Sequence, residues 1–133
     1  MQATARPAIF NGTYTVISTS GDHRTFRVHT WKDAETPTRS VGLLIGSNNE
    51  TDYQDFGFVR DDGRIVVWKK HRGGQLEKLA RLLEDLFSAE SRWRARGFRV
   101  EESLTCLRCN RRLTTKESLA LGYGSECAQK LGY

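Results

Sequence analysis

The sequence predicts an α+β fold: a five-stranded, mostly antiparallel sheet packed by one long helix, followed by a small C-terminal cysteine module. Three observations carry this prediction. Residues 12–68 alternate apolar and polar side chains and are rich in β-branched and aromatic residues. From residue 75 the apolar spacing changes to that of a helix. Residues 105–128, TCLRCNRRLTTKESLALGYGSECA, hold all 3 cysteines of the 133-residue chain.

The first strand is read in GTYTVIST, and SGD marks the turn after it. HRTFRVHTW repeats the alternation, with Phe26, Val28 and Thr30 on one face and Arg24, Arg27 and His29 largely on the other. KDAETPTR is a polar, proline-containing loop. SVGLLIG is a continuous apolar run suited to a central strand, and SNNETDYQD is a polar loop. FGFVR and RIVVW flank Asp62-Gly63, a pair that turns at positive φ with little strain and so predicts a hairpin. In QLEKLARLLEDLFSAESRWRARG the apolar stripe runs through Leu76, Leu79, Ala80, Leu83, Leu86, Phe87 and Trp93, which predicts one long helix. Gly97 is its C-cap, with Phe98 making the accompanying contact. Thr114 with Glu117 reads as a capping box opening a short helix through Ser118–Leu121, stopped by Gly122. A second short helix begins near Ser125 and carries Cys127. Two units follow, a sheet-and-helix domain over 1–100 and a cysteine module over 101–133.

Composition bounds the class. The chain is 38% hydrophobic and 28% charged, which is ordinary for a globular domain and unlike a disordered one. No apolar run approaches the roughly 18–20 residues that span a bilayer, so no membrane is expected. MQATARPAIF has neither a long apolar core nor a small-residue cleavage site and does not read as an export signal. A cytoplasmic location, in a host cell, is the expectation. The net charge of +5 is unevenly spread. Residues 1–59 carry five Lys/Arg against six Asp/Glu, and residues 60–133 carry sixteen against ten. That asymmetry suggests a polyanionic partner.

Cys106 and Cys109 have the spacing of a metal knuckle, and Cys127 lies at a helix start where a thiolate is favoured. An odd number of cysteines in a chain without an export signal points to metal ligation rather than disulfides. Zn2+ is the expected ion, as a structural site of treble-clef-like layout. The usual second helical ligand would stand at Lys130, which cannot serve while charged. His71 leads the candidates for the fourth ligand. His23, His29, Glu126, a water or a ligand from a second chain are the alternatives. Three thiolates without a neighbouring Glu or His base make a poor site for activating water. SVGLLIGSNNE lacks the lysine and spacing of a phosphate-binding loop, and no nucleophile elbow appears, so an enzyme is not expected. Asp52, Asp55, Asp61 and Asp62 read as solvated hairpin and loop residues.

Residues 106–130 resemble a zinc-finger-like family of unknown function found in phages and actinobacterial mobile elements, with the pattern C-x2-C-[G/N]-R-x-L-T-x3-S-x3-G-x-G-x2-C. The positions that carry the resemblance are Cys106, Cys109, Arg111, Leu113, Thr114, Ser118, Gly122, Gly124 and Cys127. Ser125 stands where that family usually has proline. Residues 12–68 are also similar to a segment preceding this finger in some phage proteins. The resemblance implies a phage or mobile-element origin and a motif that normally has three cysteines.

Three basic clusters are candidate nucleic-acid contacts: Lys69, Lys70 and Arg72; Arg92, Arg94 and Arg96; and Arg108, Arg111 and Arg112. Arg94 and Arg96 also suit a helix C-terminus. Trp68, Trp93 and Tyr123 lie beside these clusters and offer faces for base stacking. The functional expectation is a phage or mobile-element accessory protein binding DNA or RNA, or a host nucleoprotein complex, through its basic C-terminal half. The alternative is a protein-interaction module that inhibits a host defence complex, an anti-CRISPR or other anti-defence protein. A pI of about 9.4 argues against mimicry of DNA.

Overall fold

The computed structural model describes residues 9–31, 38–48 and 51–132. Six strands form one antiparallel sheet: β1 (Gly12–Ile17), β2 (His23–Trp31), β3 (Thr38–Leu44), β4 (Tyr53–Val59), β5 (Ile65–Val67) and β6 (Arg99–Leu104). Their spatial order is β5-β4-β3-β2-β1-β6. A 3-10 turn (Lys69–His71) and helix α1 (Gln75–Phe87) follow β5. Helix α2 (Arg92–Ala95) leads into β6, and α3 (Lys116–Leu121) and α4 (Ser125–Lys130) close the described chain.

The two expected hairpin turns are present. Gly21 (φ 90°) turns between β1 and β2, and Gly63 (φ 89°) turns between β4 and β5 with Asp62 accepting from the Arg64 amide at 3.0 Å. The apolar run expected at the centre is β3, flanked by β2 and β4. Most of the loop expected over 32–39 lies outside the described residues, and β3 begins at Thr38.

One face of the sheet carries Tyr14, Phe26, Val28, Val41, Phe56, Ile65 and Val67, buried against Ala80, Leu83 and Leu86 of α1. Phe26, Val28 and Thr30 share this face as the alternation predicts; Arg24 joins it at the exposed start of β2. A register shift opposite Val41/Gly42 adds one residue to β4. This bulge turns Phe56 into the core and sends Asp55 to the other face, where it meets His29 Nε2 at 3.1 Å. A side chain on Gly42 would meet Asp55 Oδ1 at 2.5 Å and displace that carboxylate from its place beside His29.

Two expectations about this architecture are corrected. The sheet has six strands, because RVEESL pairs along the whole of β1, from Gly12↔Leu104 to Ile17↔Arg99. Only Val100 and Leu104 of that strand pack on the core, so its sequence reads as a polar linker. The boundary expected at 100/101 falls inside β6.

The single long helix is also broken, into thirteen-residue α1 and four-residue α2. Asp85 accepts from the Ser91 hydroxyl at 2.7 Å and from the Trp93 amide at 3.1 Å, and Ser91 Oγ accepts from the Arg94 amide at 3.0 Å. Short polar side chains thus offer the backbone a new N-terminus in place of continued helix. The expected cap then appears at the end of α2. Gly97 has φ 102°, Phe98 N–H bonds to Trp93 O at 3.1 Å, and the two rings lie 5.0 Å apart.

The Ser91 hydroxyl and the Trp93 amide hold the Asp85 carboxyl below its ordinary value, against a smaller opposing effect of burial. A carboxylate depressed in the folded state stabilises above its unfolded pKa and loses that contribution as pH falls through the folded one. Asp85→Asn is therefore expected to lower the melting temperature at neutral pH, with the difference from wild type shrinking in acid. A pH series of thermal melts checks this, and a difference independent of pH would contradict it.

Candidate metal centre and the basic cleft beside it

Strand β6 delivers the chain directly to the cysteines. Thr105 bridges to Arg112, Cys106 N–H bonds to Arg111 O at 2.8 Å, and Asn110 N–H bonds to Cys106 O at 3.0 Å, which closes a tight hairpin around Cys106 and Cys109. Asn110 follows the second cysteine with φ 63°, the left-handed conformation needed to close the turn. After the hairpin, α3 is capped by Thr115, whose hydroxyl accepts from Ser118 N at 3.1 Å. The cap thus lies one residue beyond the expected Thr114, which removes Glu117 from the capping-box position. Gly122 (φ 84°) stops α3 as expected, and α4 brings Cys127 back against the knuckle.

The three sulfurs lie within 4.8 Å of one another. Cys106 and Cys127 are buried with Leu113, and Cys109 and Tyr123 pack beside them. Tetrahedral thiolates at about 2.3 Å from an ion stand about 3.8 Å apart, so this spacing suits a metal. Burial raises the Cys106 thiol, but backbone hydrogen bonds from Cys109, Gly124 and Arg108 outweigh it and bring its pKa down to about 7. The Arg108 amide lies 3.4 Å from that sulfur. Burial, then the neighbouring sulfurs, push Cys109 up. The Arg108 guanidinium reaches Cys127 Sγ at 3.7 Å. Crowded sulfurs served by amide donors form a donor set suited to a cation. Cys106, Cys109 and Cys127 are therefore placed to hold a metal ion, supplying three ligands.

His71 is not one of the gathered side chains among the described residues. It ends the 3-10 turn after β5, which runs opposite to β2 and β6, so His71 leaves the sheet at the end away from the knuckle, and β5 is the edge strand farthest from β6. The expected fourth ligand is corrected on that ground. His29 is paired with Asp55 on the sheet, His23 begins β2, and Glu126 lines the cleft described below rather than joining the sulfurs.

The module is clamped to the sheet by amide side chains. Asn110 Nδ2 donates to Thr30 O at 3.0 Å, and Thr30 N donates to Asn110 Oδ1 at 3.2 Å, so the side chain pairs with β2 as a strand would. Thr30 Oγ1 donates to Leu107 O at 2.7 Å. Fully buried Asn11 donates to Thr30 Oγ1 at 2.8 Å and to Asn110 Oδ1 at 3.1 Å.

Beside the sulfurs opens a cleft of about 340 Å³. Its walls include Arg108, Arg111, Arg112 and Lys130, with hydroxyls from Thr114, Thr115, Ser118 and Ser125 and one carboxylate, Glu126. Lys130 and these hydroxyls were not among the expected binding residues. The signal was the position of Lys130, three residues after Cys127 and hence on the same side of α4.

The other basic clusters lie elsewhere and are partly engaged. Arg94 donates to Leu86 O at 3.1 Å and to Ser88 O at 2.7 Å, which caps the C-terminus of α1. Arg96 lies over the Trp93 ring at 5.1 Å, and Arg92 opens α2. Arg72 donates to Val67 O at 3.1 Å, Lys70 lies over Trp68 at 5.8 Å, and Lys69 begins the 3-10 turn. A larger groove of about 730 Å³ lies between the start of α1 and Trp93 and Phe98, with Leu79 and Leu82 in its walls. It is separate from the sulfurs. Among the described residues no helix is long and apolar enough to cross a membrane.

Comparison with curated proteins and with solved structures returns no match. Residues 100–132, from β6 through α4, match a family of unknown function, DUF6011.

Proposed function

We propose that this chain binds nucleic acid through the basic cleft of its C-terminal module, and that Cys106, Cys109 and Cys127 hold a structural zinc ion that keeps the cleft in shape. The observation that carries the reading is the convergence of Arg108, Arg111, Arg112 and Lys130 on one cleft lined with hydroxyl groups. Guanidinium and ammonium groups neutralise phosphates, and hydroxyls add hydrogen bonds that orient the backbone without reading sequence. Zinc is the ion favoured by three soft thiolates in a buried, redox-inert structural role. The ion supplies charge neutralisation and cross-linking, while recognition belongs to the arginines.

Binding to an oligonucleotide is expected to weaken steeply with salt, because phosphate contacts release counterions. Arg111→Ala and Arg112→Ala should each weaken binding and reduce the slope of log K against log salt by about 1. Anisotropy titrations at several salt concentrations check this. Affinity insensitive to salt, or to both substitutions, would refute the reading.

A further inference from the structure

The sheet face opposite α1 carries large side chains that the core does not use. Trp31, Phe58 and Val66 are 45%, 42% and 37% exposed. The pairings Ser40↔Phe58 and Phe58↔Val66 put the last two in one cross-strand row, continued by His29↔Ser40 on β2. Trp68 meets Phe58 edge-on at 5.4 Å, and the Trp31 ring lies 5.5 Å from that of His29. Cations flank the row. Lys70 Nζ stands 5.8 Å from the Trp68 ring, and the Arg27 guanidinium lies 4.5 Å from the Tyr53 ring.

We propose that this strip is a stacking platform for single-stranded nucleic acid, RNA or DNA. The inference rests on the reading of the basic cleft as a phosphate site and extends it to the class of strand bound. Every base has a π face, so exposed aromatic rings on a sheet bind unpaired bases with little regard to sequence, while adjacent cations hold the backbone. From β2 to β5 the strip crosses three inter-strand spacings, about 14 Å, which accommodates two or three bases. In a duplex the bases stack on one another and present no free face. A protein partner covering the same strip would desolvate the Lys70 ammonium, a cost that a phosphate-bearing strand offsets with its own charge.

The strip also adjoins the module. Trp31 follows Thr30, whose amide and carbonyl are both held by Asn110, and Arg111 and Arg112 follow Asn110. A strand whose phosphates occupy the cleft therefore has its next bases beside the start of the platform.

The test uses the full chain with labelled oligo(U), oligo(dT) and a duplex of matched length. Phe58→Leu and Trp31→Leu keep apolar bulk but remove the ring. Each is expected to weaken single-strand binding by about 5- to 100-fold, leaving duplex affinity and the salt slope unchanged. Phe58→Tyr retains affinity. Thermal melts accompany each variant, and Phe58→Tyr keeps the inference open to refutation if the leucine variants fold poorly. Preference for oligo(U) or for oligo(dT) assigns the strand to RNA or DNA, and either supports the platform. Leucine variants that bind single strands like wild type, while Arg111→Ala still weakens them, overturn the platform and leave the cleft reading standing. The same holds if single-strand and duplex binding fall equally. Failure of the wild-type chain to bind any of the three probes overturns both.

Discussion

Cys106→Ser is expected to abolish stoichiometric metal binding and to lower the melting temperature by roughly 10–15 °C, corresponding to about 3 kcal/mol or more for a domain of this size. Cys106 is the fully buried member of the cluster, and its sulfur receives amide hydrogen bonds from both the knuckle and the turn before α4. Serine keeps the shape but supplies a weak ligand that stays protonated near neutral pH, so the three-sulfur set falls to two. Among the described residues the cluster around these sulfurs adds Leu113 and, partly buried, Tyr123, a small apolar surface for a module with two six-residue helices. Metal analysis of the wild-type chain is expected to find about one zinc ion per molecule. A chelator should lower the wild-type melting temperature towards that of Cys106→Ser and leave the variant unchanged. Wild-type protein that is free of metal and melts identically with and without chelator would contradict the metal assignment.

Asn110→Ala is the second large expected effect, a loss of about 3–4 kcal/mol. Two contributions make it up. The side chain makes reciprocal bonds to Thr30 at 3.0 and 3.2 Å and accepts from buried Asn11 at 3.1 Å, so its removal strands partners in an interior with little access to water. Alanine must also adopt φ 63°, a conformation that L-residues other than Asn and Asp avoid. Asn110→Gly separates the contributions, because glycine takes the conformation freely but makes no side-chain bonds. It is expected to recover about 1 kcal/mol of the loss. Denaturant melts measure both variants, and a cost below about 1 kcal/mol for alanine would show that the module does not depend on this clamp. The clamp also bears on the proposed nucleic-acid site, since it fixes the arginines that follow Asn110 against the end of β2.

Much of the local structure was legible because short-range chemistry decides it. Alternation placed Phe26 and Val28 in the core, Asp62-Gly63 announced its hairpin, and Gly97 with Phe98 formed the expected cap. The i, i+3, i+4 stripe from Leu76 to Phe87 marked α1. Where two local signals competed, the sequence was ambiguous. The apolar stripe runs on to Trp93, but Asp85 and Ser91 supply hydrogen bonds that stop one helix and start another. Strand β6 was hidden for a different reason. Arg99, Glu101, Glu102 and Ser103 are tolerated on an edge strand, so its period-2 signal rests on Val100 and Leu104 alone.

The candidate site divides in the same way. The spacing of Cys106, Cys109 and Cys127, the arginines beside them, and the glycine that ends α3 all follow from the sequence by itself, because each is a matter of residue type and separation within one short segment. Tertiary structure alone decided what that segment touches. The order β5-β4-β3-β2-β1-β6 separates His71 from the sulfurs, the bulge in β4 pairs Asp55 with His29, and Asn110 meets a β-strand eighty residues earlier in the chain. The same packing leaves Trp31 and Phe58 exposed on the face away from α1. Pairing partners and the covered face of a sheet depend on the joint burial of many distant side chains, and no local period encodes which strand will be the neighbour.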